Sequence, residues 1–294
     1  MCKKKVICWG DSITIGMGMS RDSTYPAVLG SLLSDDFKVI NAGSSGETAA
    51  TIAARQGAVK VYTSKELVFP KGVSTIEIGT DNDHSMCLSD GTMLNINRDG
   101  ESFTVCELPC NHLWIKDIKY NFSVSNGVFK LSRYDDGTEV VIPKGTEIVF
   151  SSAIEQAKGS YCEIFYIGTN GRVLGTPTEK DIQHLIQQNK DMIKRHGNDC
   201  YLVIVPYWDH YYSDAFVEAF GDKAVDFRKE VIKEDANYEG LVPSNLDLEV
   251  IRNGDVPVMF RYENNPQDGH LNKYGYSFLA RILYERGKKL GYWV

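Results

Sequence analysis

The chain changes its hydrophobic period twice, and this limits what it can fold into. Up to residue 57, and again from residue 160, short apolar runs alternate with segments of helical period. Between them, residues 58–159 hold short runs rich in Val, Ile, Thr and Phe. Turn dipeptides separate these runs: Lys71-Gly72, Asp90-Gly91, Asp99-Gly100, Asn126-Gly127, Asp136-Gly137 and Lys144-Gly145. The outer pattern predicts strands alternating with helices, hence a parallel sheet covered on both faces. The inner pattern predicts an antiparallel β module. The expectation is one discontinuous α/β body, residues 1–57 and 160–294, carrying an inserted module at 58–159.

The outer elements can be placed from local signals. Residues 5–9 read as a buried strand running into a tight turn at Gly10-Asp11-Ser12. Residues 25–33 read as a helix with Pro26 in its first turn, 37–40 as a second strand, and 47–55 as an Ala-rich helix. After the module come a strand at 162–167, a helix capped by Thr178 and stopped by Gly197, a strand at 201–205 and a short one at 224–227. Asn272 caps a last helix whose apolar face includes Tyr274, Phe278, Leu279, Ile282 and Leu283. In sheets of this kind ligands sit beyond the carboxyl ends of the strands. Ser12, Gly46 and Asn170 each fall just past such an end.

Charge narrows the partners. With 32 Lys and Arg against 39 Asp and Glu, the net charge is −7. A broad surface for nucleic acid or anionic lipid is normally basic, so neither partner is expected. Lys3, Lys4 and Lys5 precede only four apolar residues, too few for a signal peptide, and no stretch is long enough to span a bilayer. The expected location is the cytoplasm. Seven cysteines (2, 8, 87, 106, 110, 162 and 200) are an odd number and fit reduced thiols. Cys106, Cys110 and His112 lack the paired spacing of a metal site, so no metal and no cofactor are expected.

Any one of these turns, taken alone, is an ordinary turn. In order along the chain they resemble the SGNH (GDSL-like) hydrolase superfamily. Its blocks read here as Gly10-Asp11-Ser12-Ile13-Thr14, then Asn41-Ala42-Gly43-Ser44-Ser45-Gly46-Glu47-Thr48, then Gly168-Thr169-Asn170, then Asp268-Gly269-His270-Leu271-Asn272. The resemblance covers everything but the β module, and some members look similar in carrying a β-rich insertion at that point. It implies a flavodoxin-like three-layer αβα sandwich (the SGNH hydrolase fold). It further implies a serine esterase with Ser12 as nucleophile and His270 as its base. The oxyanion donors would be the backbone N–H groups of Ser12 and Gly46 and the side-chain amide of Asn170.

The residue types suit that chemistry. A serine needs a base to become nucleophilic, and neutral imidazole can take its proton. His270 precedes the last helix, whose positive end would favour the neutral ring. Glycine suits a loop where backbone approaches substrate, and an amide donates hydrogen bonds without titrating. The family spacing is Asp-x-x-His, whereas here Asp268 stands two before His270 and Gln267 stands three before. Either Asp268 reaches the ring through a tighter turn, or a backbone carbonyl or Gln267 orients it.

Further candidates carry less. Asp11 reads as a brace for the nucleophile turn. Tyr207-Trp208-Asp209-His210-Tyr211-Tyr212 offers Tyr207 and Trp208 as a platform for a sugar ring, or as packing for the loop. Asp81-Asn82-Asp83-His84 reads as a polar hairpin tip rather than a cation site. Asn121-Phe122-Ser123 is a glycosylation sequon, uninformative without a secretory signal. No Gly-x-Ser-x-Gly, phosphate loop, His-Glu-x-x-His or Gly-x-Gly-x-x-Gly occurs. The expected substrate is a small-molecule or glycan ester carrying a small acyl group such as acetyl. A lysophospholipase or thioesterase would use the same residues. A binding module that has lost turnover would keep the fold, and the β module offers a surface for oligomerisation.

Overall fold

The computed structural model describes residues 3–80, 83–94, 107–108, 111–171, 175–238 and 240–293. Five parallel strands form the central sheet: β1 (Lys4–Gly10), β2 (Phe37–Gly43), β3 (Cys162–Phe165), β4 (Tyr201–Ile204) and β5 (Ala224–Val225). Their spatial order is β5-β4-β3-β1-β2. Chain progression therefore reverses at β1, with β2 on one side and β3 on the other. Val6 lies between Val39 and Cys162, and Trp9 between Ala42 and Phe165.

Five helices frame the site: α1 (Ser12–Ile15), α2 (Tyr25–Leu32), α3 (Ala49–Gln56), α4 (Glu179–His196) and α5 (Lys273–Lys289). Strand side chains alternate between the two faces of the sheet. Val6, Cys8, Ile164, Leu202 and Ile204 pack with α2 and α5. Ile7, Trp9, Ile40, Phe165 and Val203 pack with α3 and α4. Both faces are dry, which is why these strands read as apolar runs and not as alternating ones. Each fully buried aliphatic side chain contributes roughly 1.5–3 kcal/mol against exposure.

The helix ends follow from short-range chemistry. Thr178 and Asp181 form a reciprocal capping box at the start of α4, and Gly197, at φ +81°, ends it. The Asn272 side chain accepts the N–H groups of Tyr274 and Gly275 at the start of α5. α3 begins later than its composition suggests, at Ala49, because residues 44–48 are taken up by the loop after β2. The one-turn helix α1 was too short to leave a periodic signal.

The segment expected as an insertion holds an antiparallel sheet. Its strands lie in the order 83–84, 74–80, 128–133, 118–125, 112–115, 147–150, 61–63, 86–88. The two outermost strands, Asp83–His84 and Met86–Leu88, are consecutive in the chain, parted only by Ser85. Ser85 Oγ donates to Ile78 O at 2.9 Å on one side, and Ser85 O accepts from Ser64 N at 3.0 Å on the other. One stretch thus borders both ends of the sheet and closes it, leaving little open edge. Phe69, Leu113, Tyr120, Phe122, Phe129, Leu131 and Ile148 fill the interior. His84 is buried there, its Nε2 2.6 Å from Leu94 O and its Nδ1 accepting from Met86 N. It therefore has a structural place in the module. Asp81 and Asn82 lie outside the described residues.

The insertion returns to the body through the helix Ser151–Gln156, where Ser152 Oγ donates to Arg55 O at 2.7 Å. Beside it, Glu163 is fully buried on β3. Its carboxylate accepts from Gln56 Nε2 (2.9 Å), Gln156 Nε2 (3.2 Å) and Ser160 Oγ (2.8 Å). His196, at the end of α4, brings Nδ1 to 3.6 Å from the same carboxylate and Nε2 to 3.0 Å from Cys200 O. Burial alone would lower the His196 pKa; the Glu163 carboxylate, together with bonds to the Cys200 carbonyl and Asn198, outweighs burial and raises it. A raised pKa means that the folded state holds the proton more tightly than the unfolded chain does. The resulting stabilisation is complete below the ordinary histidine value of 6.5 and fades as pH rises through the folded value. The stability gap between wild type and His196→Gln in urea unfolding should therefore be wider at pH 5.5 than at pH 8.5. An equal gap at both values would refute the charged form of this contact.

Among the described residues no helix is long and apolar enough to cross a membrane. Cys8, Cys87, Cys162 and Cys200 are free thiols.

Candidate active site

The site begins where β1 ends. A Cβ on Gly10 would lie 2.0 Å from Thr14 Oγ1 and 2.8 Å from Tyr166 O, so the turn requires glycine. Asp11 caps α1, its Oδ1 accepting the Ile13 N–H at 2.9 Å. Ser12 is the first residue of that helix. Burial pushes the Asp11 carboxyl up to about 7, opposed by bonds from the Ile13 N–H and the Thr169 hydroxyl and reinforced by the nearby Glu47 charge. Asp11 is thus a buried brace beneath the serine.

The second loop is fastened to the first. Ser44 N donates to Gly10 O at 3.0 Å. Asn41 Nδ2 donates to Thr14 O at 2.9 Å, while its Oδ1 accepts from Gly43 N at 2.9 Å. A Cβ on Gly43 would lie 2.2 Å from Ile15 N, so α1 rests directly on this backbone. Gly46 turns the chain at φ +76°, a conformation that suits glycine. The third loop joins through Asn170, whose Nδ2 donates to Glu47 O at 3.0 Å and whose backbone bridges Thr48.

The fourth loop carries His270. Its Nε2 lies 2.9 Å from Ser12 Oγ, and its Nδ1 lies 2.8 Å from Asp268 Oδ1. The same Oδ1 accepts the backbone N–H of His270 at 2.8 Å. Asp268 therefore folds back in a tight turn that supplies one oxygen to both the main chain and the ring. This is the tighter turn that the two-residue spacing required, whereas Gln267 is exposed. The carboxylate fixes Nδ1 as the protonated nitrogen and leaves Nε2 to accept from the serine.

Tyr207 and Trp208 hold that turn from outside. A Cβ on Gly269 would lie 1.3 Å from Trp208 Cζ3, so the indole lies directly on the glycine. The Tyr207 hydroxyl donates to Gly269 O at 3.1 Å, and the Trp208 ring meets His270 edge to face at 6.3 Å. Tyr207 is 3% exposed, and this corrects the platform reading for that residue. Its ring packs the loop onto the body and is not open to a sugar. Trp208 is half-buried beside the imidazole.

Beyond Asn170 an open cleft of about 230 Å³ runs along α4, lined in part by Thr48, Asp181, His184, Leu185, Gln188 and Tyr212. From the insertion, Glu107 reaches the edge of β2. Its backbone N–H donates to Asn41 O at 2.9 Å, its Oε2 accepts from Asn41 N at 2.7 Å, and its carboxylate pairs with Arg21. Among the described residues no group of three or more His, Cys, Asp or Glu could hold a metal ion. Cys106 and Cys110 lie outside the described residues. Burial holds His112 below the ordinary histidine pKa.

Asn41, Glu47 and Arg55 carry much of this architecture, and sequence reasoning assigned them no role. Asn41 stood within a recognised block. Glu47 stood in the same block, and Arg55 closed the Ala-rich helix expected after it.

No protein-family model matches the chain, and no curated protein matches it. Among solved structures it is similar to one described as that of a candidate lipolytic protein of the G-D-S-L family from Desulfitobacterium hafniense DCB-2. That similarity has 12% identity and a TM-score of 0.45, over 97% of this chain and 99% of the other.

Proposed function

We propose that the protein is a serine-dependent carboxylic ester hydrolase of the SGNH (GDSL-like) type, on a flavodoxin-like body with a β-rich insertion. One observation carries the reading: the unbroken chain of hydrogen bonds from Ser12 Oγ through His270 to Asp268. A hydroxyl, a base and a base-orienting carboxylate in that order are the parts needed for acyl transfer.

Ser12 Oγ attacks the ester carbonyl carbon while His270 Nε2 takes its proton. The carbonyl oxygen becomes an oxyanion, stabilised by the N–H groups of Ser12 and Gly46 and the amide of Asn170. The intermediate collapses, the C–O bond to the alcohol breaks, and His270 returns the proton to the leaving oxygen. Water then attacks acyl-Ser12 by the same path in reverse, releasing the carboxylic acid and the free serine. Asp268 accepts the Nδ1 proton's hydrogen bond and offsets the imidazolium charge.

The favoured substrate is a small acyl group, such as acetyl, on a carbohydrate. Thr48, His184 and Gln188 in the cleft beside Asn170 offer hydrogen-bond partners for a hydroxylated alcohol. The Asp268–His270 bond favours the esterase over the alternative of a binding module without turnover.

The test is a chain-length series of p-nitrophenyl esters, run beside labelling with a fluorophosphonate probe and mass spectrometry. Turnover falling steeply from acetate to octanoate, with the label on the peptide containing Ser12, is the expected result. A preference for octanoate would move the substrate to the lipid class. No turnover and no label would defeat the esterase reading.

A further inference from the structure

Beneath the site lies a fully buried ion pair whose contacts are arranged with respect to the oxyanion-stabilising groups. Arg55 is 0% exposed and Glu47 2%. Arg55 Nε lies 2.8 and 2.6 Å from the two Glu47 carboxylate oxygens. Arg55 Nη2 donates to Ala42 O at 2.9 Å and to Gly10 O at 3.4 Å. The guanidinium lies over the Trp9 ring at 5.7 Å.

Each contact falls next to an assigned donor. Gly10 is two residues before Ser12, whose N–H is one donor. Glu47 directly follows Gly46, whose N–H is the second. The backbone carbonyl of Glu47 accepts from Asn170 Nδ2, the third. Ala42 anchors the strand end from which the Gly46 loop departs. A single guanidinium thereby connects the last turns of two strands to the loop that joins the other two donors. A buried ion pair is a poor way to gain stability, because desolvation offsets most of its attraction and apolar residues of similar size often do as well. What this pair supplies that apolar packing could not is a fixed distance between hydrogen-bonded backbone segments, and a planar fork is suited to that.

We infer that Arg55 and Glu47 are positioning residues that set the spacing of the Ser12, Gly46 and Asn170 donors without touching substrate. This rests on the esterase reading above. The pair makes no contact with the Ser12–His270–Asp268 chain in the hydrogen bonds described, so its removal should affect the oxyanion and leave the base alone.

The test uses two variants of the full chain. Glu47→Leu/Arg55→Met removes both charges together, so that neither is left buried alone. Arg55→Lys keeps the charge and loses the fork. Thermal unfolding sets a temperature at which each is folded, and kcat, KM and the pH dependence of kcat/KM are then measured on p-nitrophenyl acetate. The expected result is a fall in kcat of about a hundredfold in the double variant, the size of loss that ångström-scale misplacement produces. Arg55→Lys should show a smaller fall. KM and the pH midpoint assigned to His270 should stay in place in both. A folded variant with wild-type kcat would overturn the inference, and so would a loss that came with a shifted pH midpoint. If the double variant does not fold, Arg55→Lys decides the matter alone. Failure of the esterase reading looks different: wild type and Ser12→Ala would then be equally inert, and the inference would fall with it.

Discussion

Replacing Ser12 with alanine is expected to lower kcat on p-nitrophenyl acetate by about a millionfold, to the background of the remaining site. The substitution removes the nucleophilic oxygen and nothing else of consequence. Ser12 is held in α1 by the Asp11 cap and by the backbone of Gly43 beneath it, neither of which uses the hydroxyl. The thermal midpoint should accordingly change little. Substrate affinity should also survive, because Gly46 and Asn170 remain. Measuring kcat and the unfolding curve on the same preparation checks both halves. An alanine variant as active as wild type would show that another group does the chemistry.

Asp268→Asn is expected to lower kcat by roughly ten-thousandfold, the loss seen when an amide replaces the orienting carboxylate of a serine triad. The asymmetry of the turn gives the reason. Asp268 Oδ1 accepts two bonds, one from the backbone N–H of His270 and one from its ring. An asparagine can keep its carbonyl oxygen on the backbone donor, but then it no longer offers a full negative charge to the imidazole. The ring can adopt the other tautomer, with the proton on Nε2, where it cannot accept from Ser12 Oγ. KM for p-nitrophenyl acetate should move little. A loss below tenfold would show that packing by Trp208 and Gly269 orients the ring by itself.

These two predictions concern residues that local sequence made visible, and the reason is physical. Each motif loop is short and follows a strand end, so its chemistry is concentrated within a few consecutive positions. The α/β periodicity was also legible, because both faces of the sheet are covered and the strands are apolar throughout. Other features depend on contacts distant in sequence. The spacing of Asp268 looked like a defect until the turn was seen to let one oxygen serve main chain and ring together. Tyr207 reads like an exposed aromatic because it follows a strand at the site's edge, yet it is covered by Gly269 and Phe227, which lie elsewhere in the chain. Glu47 and Arg55 were hidden for the same reason: one lies in a loop and the other on the short helix that follows, and a charge in either place is solvated unless something distant in sequence buries it. The helices Ser213–Phe220 and Asn245–Arg252 were not read from the sequence.

The closed sheet of the insertion has a bearing on how such a molecule comes to exist. The first strand of the insertion, Val61–Thr63, pairs directly with the last, Glu147–Phe150, with Val61 opposite Ile148 and Tyr62 opposite Glu147. Entry and exit are therefore one strand spacing apart, about 5 Å. The module is thus joined to the α/β body through two adjacent strands, with Glu107 as a further tie to Asn41 and Arg21. The entropy of joining its ends is met within the module's own pairing, so its length places little burden on the host fold. A segment joined in this way can change in length while the loops that carry Ser12, Asn170 and His270 keep their register.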